Sequence, residues 1–364
     1  MKKEKKSFGL PEYLMFAGII VAAALLCICH ASCQLTSQGI QALGAEESPQ
    51  IKGVSILNAT SIEVDFSKAV SVQSASVSKL DAGQRASIDS AAQNPINARA
   101  AMSSGNRVAV YIFDEKPRLG QRYQLFSEIK DERGNTLTFA LPFDGYNERL
   151  PKCALIEVQP SSYKGKTGVT PESPYAVIKA LQDGNLFGID LYCAANKAEY
   201  SLPNVEVKAG DEITLHLKPT ANESDCVDEL GSDLSLAKTG RSSAKRRDLF
   251  FNIGTSSLHS KNDVLLLRDR NSNKTIDALS YFSLEANNET KWNLQEAAER
   301  AARDNAWEGS ASAESAVLAN DSKNKMSATR PLVRKTIPQA QSGKASSKHD
   351  WEVAQNVYSA SAKK

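Results

Sequence analysis

Residues 263–282 read DVLLLRDRNSNKTIDALSYF, and this stretch decides the fold class. An apolar run at 264–267 is followed by a polar turn, Asn271-Ser272-Asn273, and by a second apolar segment at 275–282. Two apolar segments of strand length on either side of an Asn-rich turn predict a β-hairpin.

The same pattern extends toward the N-terminus from this hairpin. Short apolar segments lie at 153–158, 175–181, 186–192, 205–207 and 213–217, and the turn Ala-Gly-Asp-Glu at 209–212 precedes the last of them. Residues 291–307 contain helix formers with a weak apolar stripe, which predicts a short inserted helix packed on the sheet. We therefore predict a β-rich domain over 153–358, with insertions near 218–262 and 290–348.

An earlier stretch, residues 51–143, contains short alternating segments separated by polar stretches. Apolar residues at 62, 64 and 66 alternate with Glu63 and Asp65, and Val108, Val110 and Ile112 alternate with Ala109 and Tyr111. The turn Asp-Glu-Arg-Gly-Asn at 131–135 suits a glycine with positive φ before a last strand at 136–139. We predict an all-β protein of two Ig-like β-sandwiches in tandem, the second with inserted loops and a short helix, joined by a connector at 144–152.

Two resemblances rest on these residues. The segment Val64-Asp65-Phe66-Ser67-Lys68-Ala69-Val70, with the closing turn at 131–135, resembles bacterial Ig-like domains of surface-layer and adhesin type. The opening strand Cys153-Ala154-Leu155-Ile156-Glu157-Val158, the turn at 209–212 and the hairpin at 263–282 resemble a lamin tail domain, whose closing elements are similar to 328–330 and 350–353. The chain departs from that family where Asn271–Asn273 stand in place of the usual turn glycine and where 308–348 interrupts the closing segment. Both resemblances imply binding modules without catalysis.

The N-terminus predicts export. Four lysines lie within residues 2–6, and residues 13–32 (YLMFAGIIVAAALLCICHAS) contain no Asp, Glu, Lys or Arg. This is a positive n-region followed by an apolar h-region, with the rest of the chain beyond the membrane. Ala31 and Ser32 before Cys33 resemble the bacterial lipoprotein signal, in which the cysteine carries fatty-acyl chains such as palmitate, although His30 stands where that signal usually has Leu. We predict a leader at 1–33 with lipidation of Cys33 and a polar tether at 34–50. Conventional cleavage after Ser32 or Ala45 and an uncleaved anchor stay open.

The charge balance argues against a nucleic-acid partner. The formal net charge is +2, but residues 1–32 hold four of the 44 basic residues and only two of the 42 acidic ones, so the remainder is neutral. A broad nucleic-acid interface usually shows a clear basic excess. Seven basic residues and no acid within 322–348 could nevertheless contact a polyanion, chiefly through Lys323, Lys325, Arg330, Arg334 and Lys335.

The sequence contains few residues in patterns that are typical of a catalytic site. Of the four histidines, His216 falls in a predicted strand, where a half-buried or surface position is expected, while His259 and His349 fall in polar loops. No nucleophile elbow, HExxH, P-loop or dinucleotide motif occurs. The Asp269–Asn273 stretch begins like a calcium loop but lacks its glycine and bidentate glutamate. Beyond the leader only Cys153, Cys193 and Cys226 remain, which allows one disulfide of undetermined pairing and no metal site.

The sequence therefore predicts a non-catalytic binding or structural lipoprotein of the cell envelope, similar to envelope lipoproteins of the spirochaete type, with no cofactor. Its partners would be the membrane, through the lipid anchor, and a protein or polymer of the envelope, on the periplasmic or the surface side. The alternatives are an accessory subunit or degenerate enzyme of the envelope, because lamin-tail-like domains often accompany hydrolases, and a polyanion binder through 322–348.

Overall fold

The structure is a computed structural model that describes residues 33–36, 39–42, 48–81, 85–88, 95–103, 105–161, 174–218, 226–237, 246–251, 258–283, 294–320, 325–327, 329–338 and 345–354. For residues 33–36, 39–42 and 320 it describes strand pairing alone. Residues 1–32 of the leader predicted at 1–33 lie outside these ranges. Within them, no helix has the length and apolar character that crossing a bilayer requires.

The chain divides into two compact units, Met1–Tyr146 (unit 1) and Asn147–Lys364 (unit 2). Both are built almost entirely of strands, so the predicted all-β sandwich class is confirmed.

Unit 1 is a β-sandwich of antiparallel strands. Its strands are β1 Cys33–Thr36, β2 Gly39–Ala42, β3 Ile51–Asn58, β4 Ser61–Phe66, β5 Val70–Lys79, β6 Ile96–Ser103, β7 Val108–Phe113, β8 Arg122–Asp131 and β9 Thr136–Asp144. They follow the order β1-β2-β9-β8-β5-β6-β7-β4-β3. Because β5 and β6 pair over only two positions, Ser76↔Asn97 and Val77↔Ile96, the sheet folds over there into two layers. Strand pairing reaches into the predicted tether, since β2 pairs with β9 at Ile40↔Ala140.

The alternation in unit 1 has the expected cause. Ile62, Val64 and Phe66 are buried between the layers, and Phe139 lies 6.0 Å from Phe66 between ring centroids. At the far end of β8, Gly134 takes φ +89°, as the turn at 131–135 predicted. A period of two thus places one side of each strand in the core.

Unit 2 contains two main sheets and one described α-helix. Its elements are β10 Cys153–Gln159, β11 Tyr175–Ala180, β12 Gly184–Asn185, β13 Ile189–Cys193, β14 Ala198–Ser201, β15 Glu206–Val207, β16 Glu212–His216, β17 Arg246–Phe250, β18 Asp263–Asp269, β19 Lys274–Ser283, α1 Gln295–Arg303, β20 Val317–Asn320, β21 Leu332–Arg334 and β22 Trp351–Val353. The six-stranded sheet runs β17-β16-β11-β10-β21-β22 and the five-stranded sheet runs β14-β13-β18-β19-β20, while β12 pairs with β15.

The two sheets of unit 2 enclose one continuous apolar core. Leu155 and Ile178 from the first sheet and Leu265 and Tyr281 from the second are fully buried in it. Helix α1 contacts β18 and β19 and buries three alanines, which confirms the predicted short helix. The stretches that we interpreted as insertions supply sheet strands: β17 lies within 218–262, and β20 and β21 lie within 290–348.

Candidate functional site

A groove of about 590 Å³ lies where the two sheets of unit 2 end on the same side. The edge strand of the five-stranded sheet, β20, and the edge strand of the six-stranded sheet, β22, form its two walls. Its lining residues are Phe282, Ala313, Glu314, Ala316, Val317, Leu318, Lys348, His349, Trp351, Glu352 and Val353. A concave surface of this size, lined by apolar and polar side chains, is a candidate place for a ligand.

The backbone of β22 presents hydrogen-bonding groups to this groove. Lys335 N–H donates to Asp350 O at 2.7 Å, and Ala354 N–H donates to Pro331 O at 2.8 Å, on either side of the Val333↔Glu352 pair. Hydrogen-bonded and non-hydrogen-bonded pairs alternate along an antiparallel ladder. The C=O of Trp351 and the N–H of Val353 therefore point away from β21, toward the open edge, and no described residue bonds to either of them.

The groove has a polar end and an apolar end. At the polar end Lys348 Nζ donates to the backbone O of Glu314 at 2.5 Å, and His349 lies on the same short 3-10 turn. At the other end are the half-buried side chains of Phe282, Leu318 and Val353. A ligand would therefore meet charge at one end and hydrocarbon at the other.

A buried ion pair holds β21, and through it β22, in place. Arg334 Nη1 lies 2.8 Å from Asp277 Oδ2, which also accepts the N–H of Leu155 at 2.7 Å. The same guanidinium donates to Leu155 O and lies over the ring of Trp351, 5.8 Å from its centroid. Burial raises the pKa of Asp277 to about 6, although the charge of Arg334 opposes this rise. These contacts join the last strands of the chain to both sheets.

The opposite edge of the six-stranded sheet is covered. Two N–H groups of β17 are taken by carboxylates, since Asp248 N–H donates to Glu229 Oε2 at 2.8 Å and Phe250 N–H donates to Asp228 Oδ1 at 2.7 Å. Glu229 N–H in turn donates to Asp248 O. Glu229 is fully buried, so its carboxylate is shielded from solvent where it covers this edge.

A second polar cluster lies on the outer side of the same sheet. His216 Nε2 and Asp248 Oδ1 are 2.7 Å apart, and the imidazole stacks on Phe250 with 4.4 Å between centroids. His216 is 3% exposed and Asp248 is not exposed at all, so the half-buried position expected for His216 is wrong. Across the sheet, Tyr175 Oη donates to Glu157 at 2.5 Å.

Of the five predicted polyanion contacts, one is buried in an ion pair. Lys323 lies outside the described residues, Lys325 and Lys335 are exposed, and Arg330 Nε donates to Ala354 O at 3.0 Å. Arg334 has to be removed from this set, because its guanidinium is buried against Asp277. Its partner lies 57 positions earlier in the chain, and no local pattern reveals it.

The three cysteines whose side chains are described form no disulfide with one another. Cys153 and Cys193 are buried and Cys226 is half-buried, so the bridge that the sequence allowed is not made among them. Burial raises the pKa of Cys153 to about 12 and that of Cys193 well above its usual value, which makes both thiols unreactive. Cys33 is the first residue of β1, and its side chain lies outside the described part.

No metal centre is formed by the described residues, in which no three His, Cys, Asp or Glu side chains come together at ligand spacing. The turn after β18 is an ordinary hairpin turn: Asp269 accepts the N–H of Asn271, and Asn273 adopts φ +54°. Arg300 of helix α1 donates to Asn273 Oδ1 at 2.6 Å and so joins the helix to this turn.

Residues 151–353, more than half of the chain, match a family model described as "TP_1001_2nd: protein second domain". The chain belongs to this family. The matched range of the TP_1001 second-domain family begins two residues before β10 and ends with the last residue of β22. Both sheets and the groove therefore lie within the family's domain.

A relative of this chain is an uncharacterized protein of Treponema pallidum (strain Nichols), 26% identical over 175 residues. The match covers 47% of this chain and 42% of the relative, so it spans less than half of the relative's length.

Two solved structures show weak likeness. The N-terminal part of the bacterial S-layer protein SbsC is 16% identical with a TM-score of 0.23, covering 39% of this chain and 36% of that one. A DUF4876 family protein from Bacteroides thetaiotaomicron is 9% identical with a TM-score of 0.29, covering 83% of this chain and 90% of that one. Scores this low do not establish a shared fold.

Proposed function

We propose that this protein is an exported, non-catalytic binding protein of the cell envelope, anchored through a lipid on Cys33, and that unit 2 holds its partner in the groove between β20 and β22. The observation that carries this function is the side of the sandwich where a 590 Å³ groove meets backbone groups of β22 that bond to no described residue. Native proteins usually cover or blunt such an edge unless it serves for binding.

The contrast between the two edges of one sheet supports the assignment. The edge at β17 is closed by the carboxylates of Asp228 and Glu229. At β22 no described side chain takes the corresponding role at Val353. Within the described part of unit 2, one edge is thus protected against further pairing and the other is left open.

The polar cluster on the outer face favours a structural role over catalysis. A general base has to reach its substrate, but His216 and Asp248 are buried against each other and against Phe250. We therefore assign this pair to the stability of the sheet and the binding function to the groove. The resemblance of unit 2 to lamin tail domains and of unit 1 to bacterial Ig-like domains agrees with a binding role.

The groove is tested by site-specific photo-cross-linking in cells. A photoreactive amino acid replaces the exposed groove residue Glu352, and in a control variant it replaces Lys208, an exposed unit 2 residue that does not line the groove. We expect an adduct with one envelope component at position 352 and none at 208. Equal labelling at both positions, or none at either, would count against the groove as the binding site.

The anchor is tested separately by metabolic labelling with a radioactive fatty acid. Label should enter the wild-type protein and be absent from Cys33→Ala, which should also leave the membrane fraction. Label retained in Cys33→Ala would place the anchor elsewhere.

A further inference from the structure

The open edge of β22 restricts the kind of ligand that the groove can hold. Trp351 C=O and Val353 N–H lie two residues apart and face the same side. A purely apolar ligand would cover both groups and leave them without hydrogen bonds, which costs binding affinity. A ligand with a donor and an acceptor at strand spacing satisfies both, and an extended polypeptide has these groups on every residue.

The other wall of the groove is less available. Ala319 O of β20 already accepts the N–H of Met326 at 2.8 Å. On β22, no described residue donates a backbone hydrogen bond to Trp351 O or accepts one from Val353 N–H. An incoming strand would therefore pair with β22 and use β20 as a side wall.

The side chains around β22 define what an added strand should carry. Alternate residues of a strand face opposite sides. In an added strand, the side chains that face into the groove would therefore meet Phe282 and Leu318, and those that face solvent would lie beside the exposed Glu352. At the polar end the ammonium of Lys348 has three donors and uses one on Glu314 O. A carboxylate on the ligand would complement the remaining donors there.

We infer that the groove binds an extended segment of a partner protein by strand addition to β22, with apolar residues inward and an acidic residue at the Lys348 end. This inference rests on the proposed function, since it names the chemistry of the partner held in the same groove. The pairing of this acidic residue with Lys348 sets the direction in which the segment runs along β22.

The probe is a library of random dodecapeptides displayed on phage and selected on the full chain in detergent micelles. We expect the selected sequences to alternate apolar and polar residues and to share an acidic residue near one end. A labelled selected peptide is then titrated against the wild type and three variants by fluorescence anisotropy.

Proline at 353 removes the N–H that faces the groove but leaves the β21 ladder intact, so Val353→Pro should weaken peptide binding about tenfold or more. Val353→Ala, which loses only side-chain contact, should weaken it by less than about threefold. Lys348→Gln should lower affinity for the acidic peptide and leave its Glu→Gln version unchanged.

Amide hydrogen exchange on the wild type provides a test that needs no variant. Peptide should slow exchange at Val353 and not at Glu352, whose N–H already faces Val333 in the ladder. Peptides that bind without slowing Val353, or a library that yields no binder, overturn strand addition. A specific cross-link at position 352 would then still support the proposed function, whereas its absence would refute the function as well.

Discussion

Removal of the Arg334 guanidinium should destabilise unit 2 in a way that depends strongly on pH. In Arg334→Ala the carboxylate of Asp277 stays buried with the backbone N–H groups of Leu155 and Ala278 as partners and without a counter-charge. Breaking a buried ion pair from one side costs about 3–5 kcal/mol of unfolding free energy, because the remaining charge is uncompensated.

The pH dependence follows from the protonation of Asp277. Its pKa is raised by burial to about 6 in the folded protein and should rise further without Arg334. A carboxyl with a raised folded-state pKa holds its proton after the unfolded chain has lost it, so the unfolding free energy falls as pH increases from about 4. In the wild type the part of this fall that comes from Asp277 ends near pH 6, whereas in the variant it continues to higher pH. At about 1.36 kcal/mol per pH unit between pH 6 and pH 8, the loss of unfolding free energy in the variant should therefore be about 2–3 kcal/mol larger at pH 8 than at pH 4.

Urea denaturation followed by tryptophan fluorescence measures this difference. The three tryptophans, Trp292, Trp307 and Trp351, all belong to unit 2, so the signal reports that unit alone. The double variant Asp277→Asn/Arg334→Met removes both charges and should recover most of the loss. An equal loss at pH 4 and pH 8 would refute the electrostatic reasoning and assign the effect to the packing of Arg334 on Trp351.

Three further outcomes are expected. Burial raises the pKa of Asp263 to about 7, so its contribution to the unfolding free energy of unit 2 should fall between pH 4 and pH 7. Asp263→Asn should reduce this total fall by up to about 4 kcal/mol. Glu229→Ala should cost about 2–3 kcal/mol of unit 2 unfolding free energy and speed amide exchange at Asp248. Glu308→Ala, which removes an exposed carboxylate of unit 2, should change neither, and equal effects of the two variants would argue against the edge cover. In unit 1, Asp131→Ala removes the acceptor of two turn N–H groups and should lower the midpoint of a calorimetric transition that tryptophan fluorescence does not follow, and an unchanged midpoint would contradict this role.

Much of the fold could be predicted because local pattern and tertiary burial agree. The alternation at 62–66 and the hairpin at 263–282 describe strands whose apolar side faces a core, and the structure places strands at both. The helix at 295–303 was visible in its alanine stripe for the same reason. In each case residues close together in the sequence are sufficient to predict the element.

Prediction failed where a strand depends on distant partners. Strand β17 reads Arg-Arg-Asp-Leu-Phe and shows no apolar period, since Asp248 is buried through its bond to His216. Arg334 looked like a member of a basic run, but its environment is set by Asp277. The groove was equally hidden, because its walls come from short strands within a stretch rich in Ser, Ala and Lys.

The pairing of β10 with β21 has a consequence for the order of events during synthesis. Leu155 and Arg334 meet across 179 positions, so the first strand of unit 2 leaves the ribosome long before the strand that completes its sheet. Until residues 332–353 are available, one side of β10 has no neighbour and Asp277 has no counter-charge. Contacts this distant in sequence make folding slow and leave intermediates prone to aggregation. A chain that ends before residue 332 should therefore depend on chaperones or be degraded, even though most of its core residues are present.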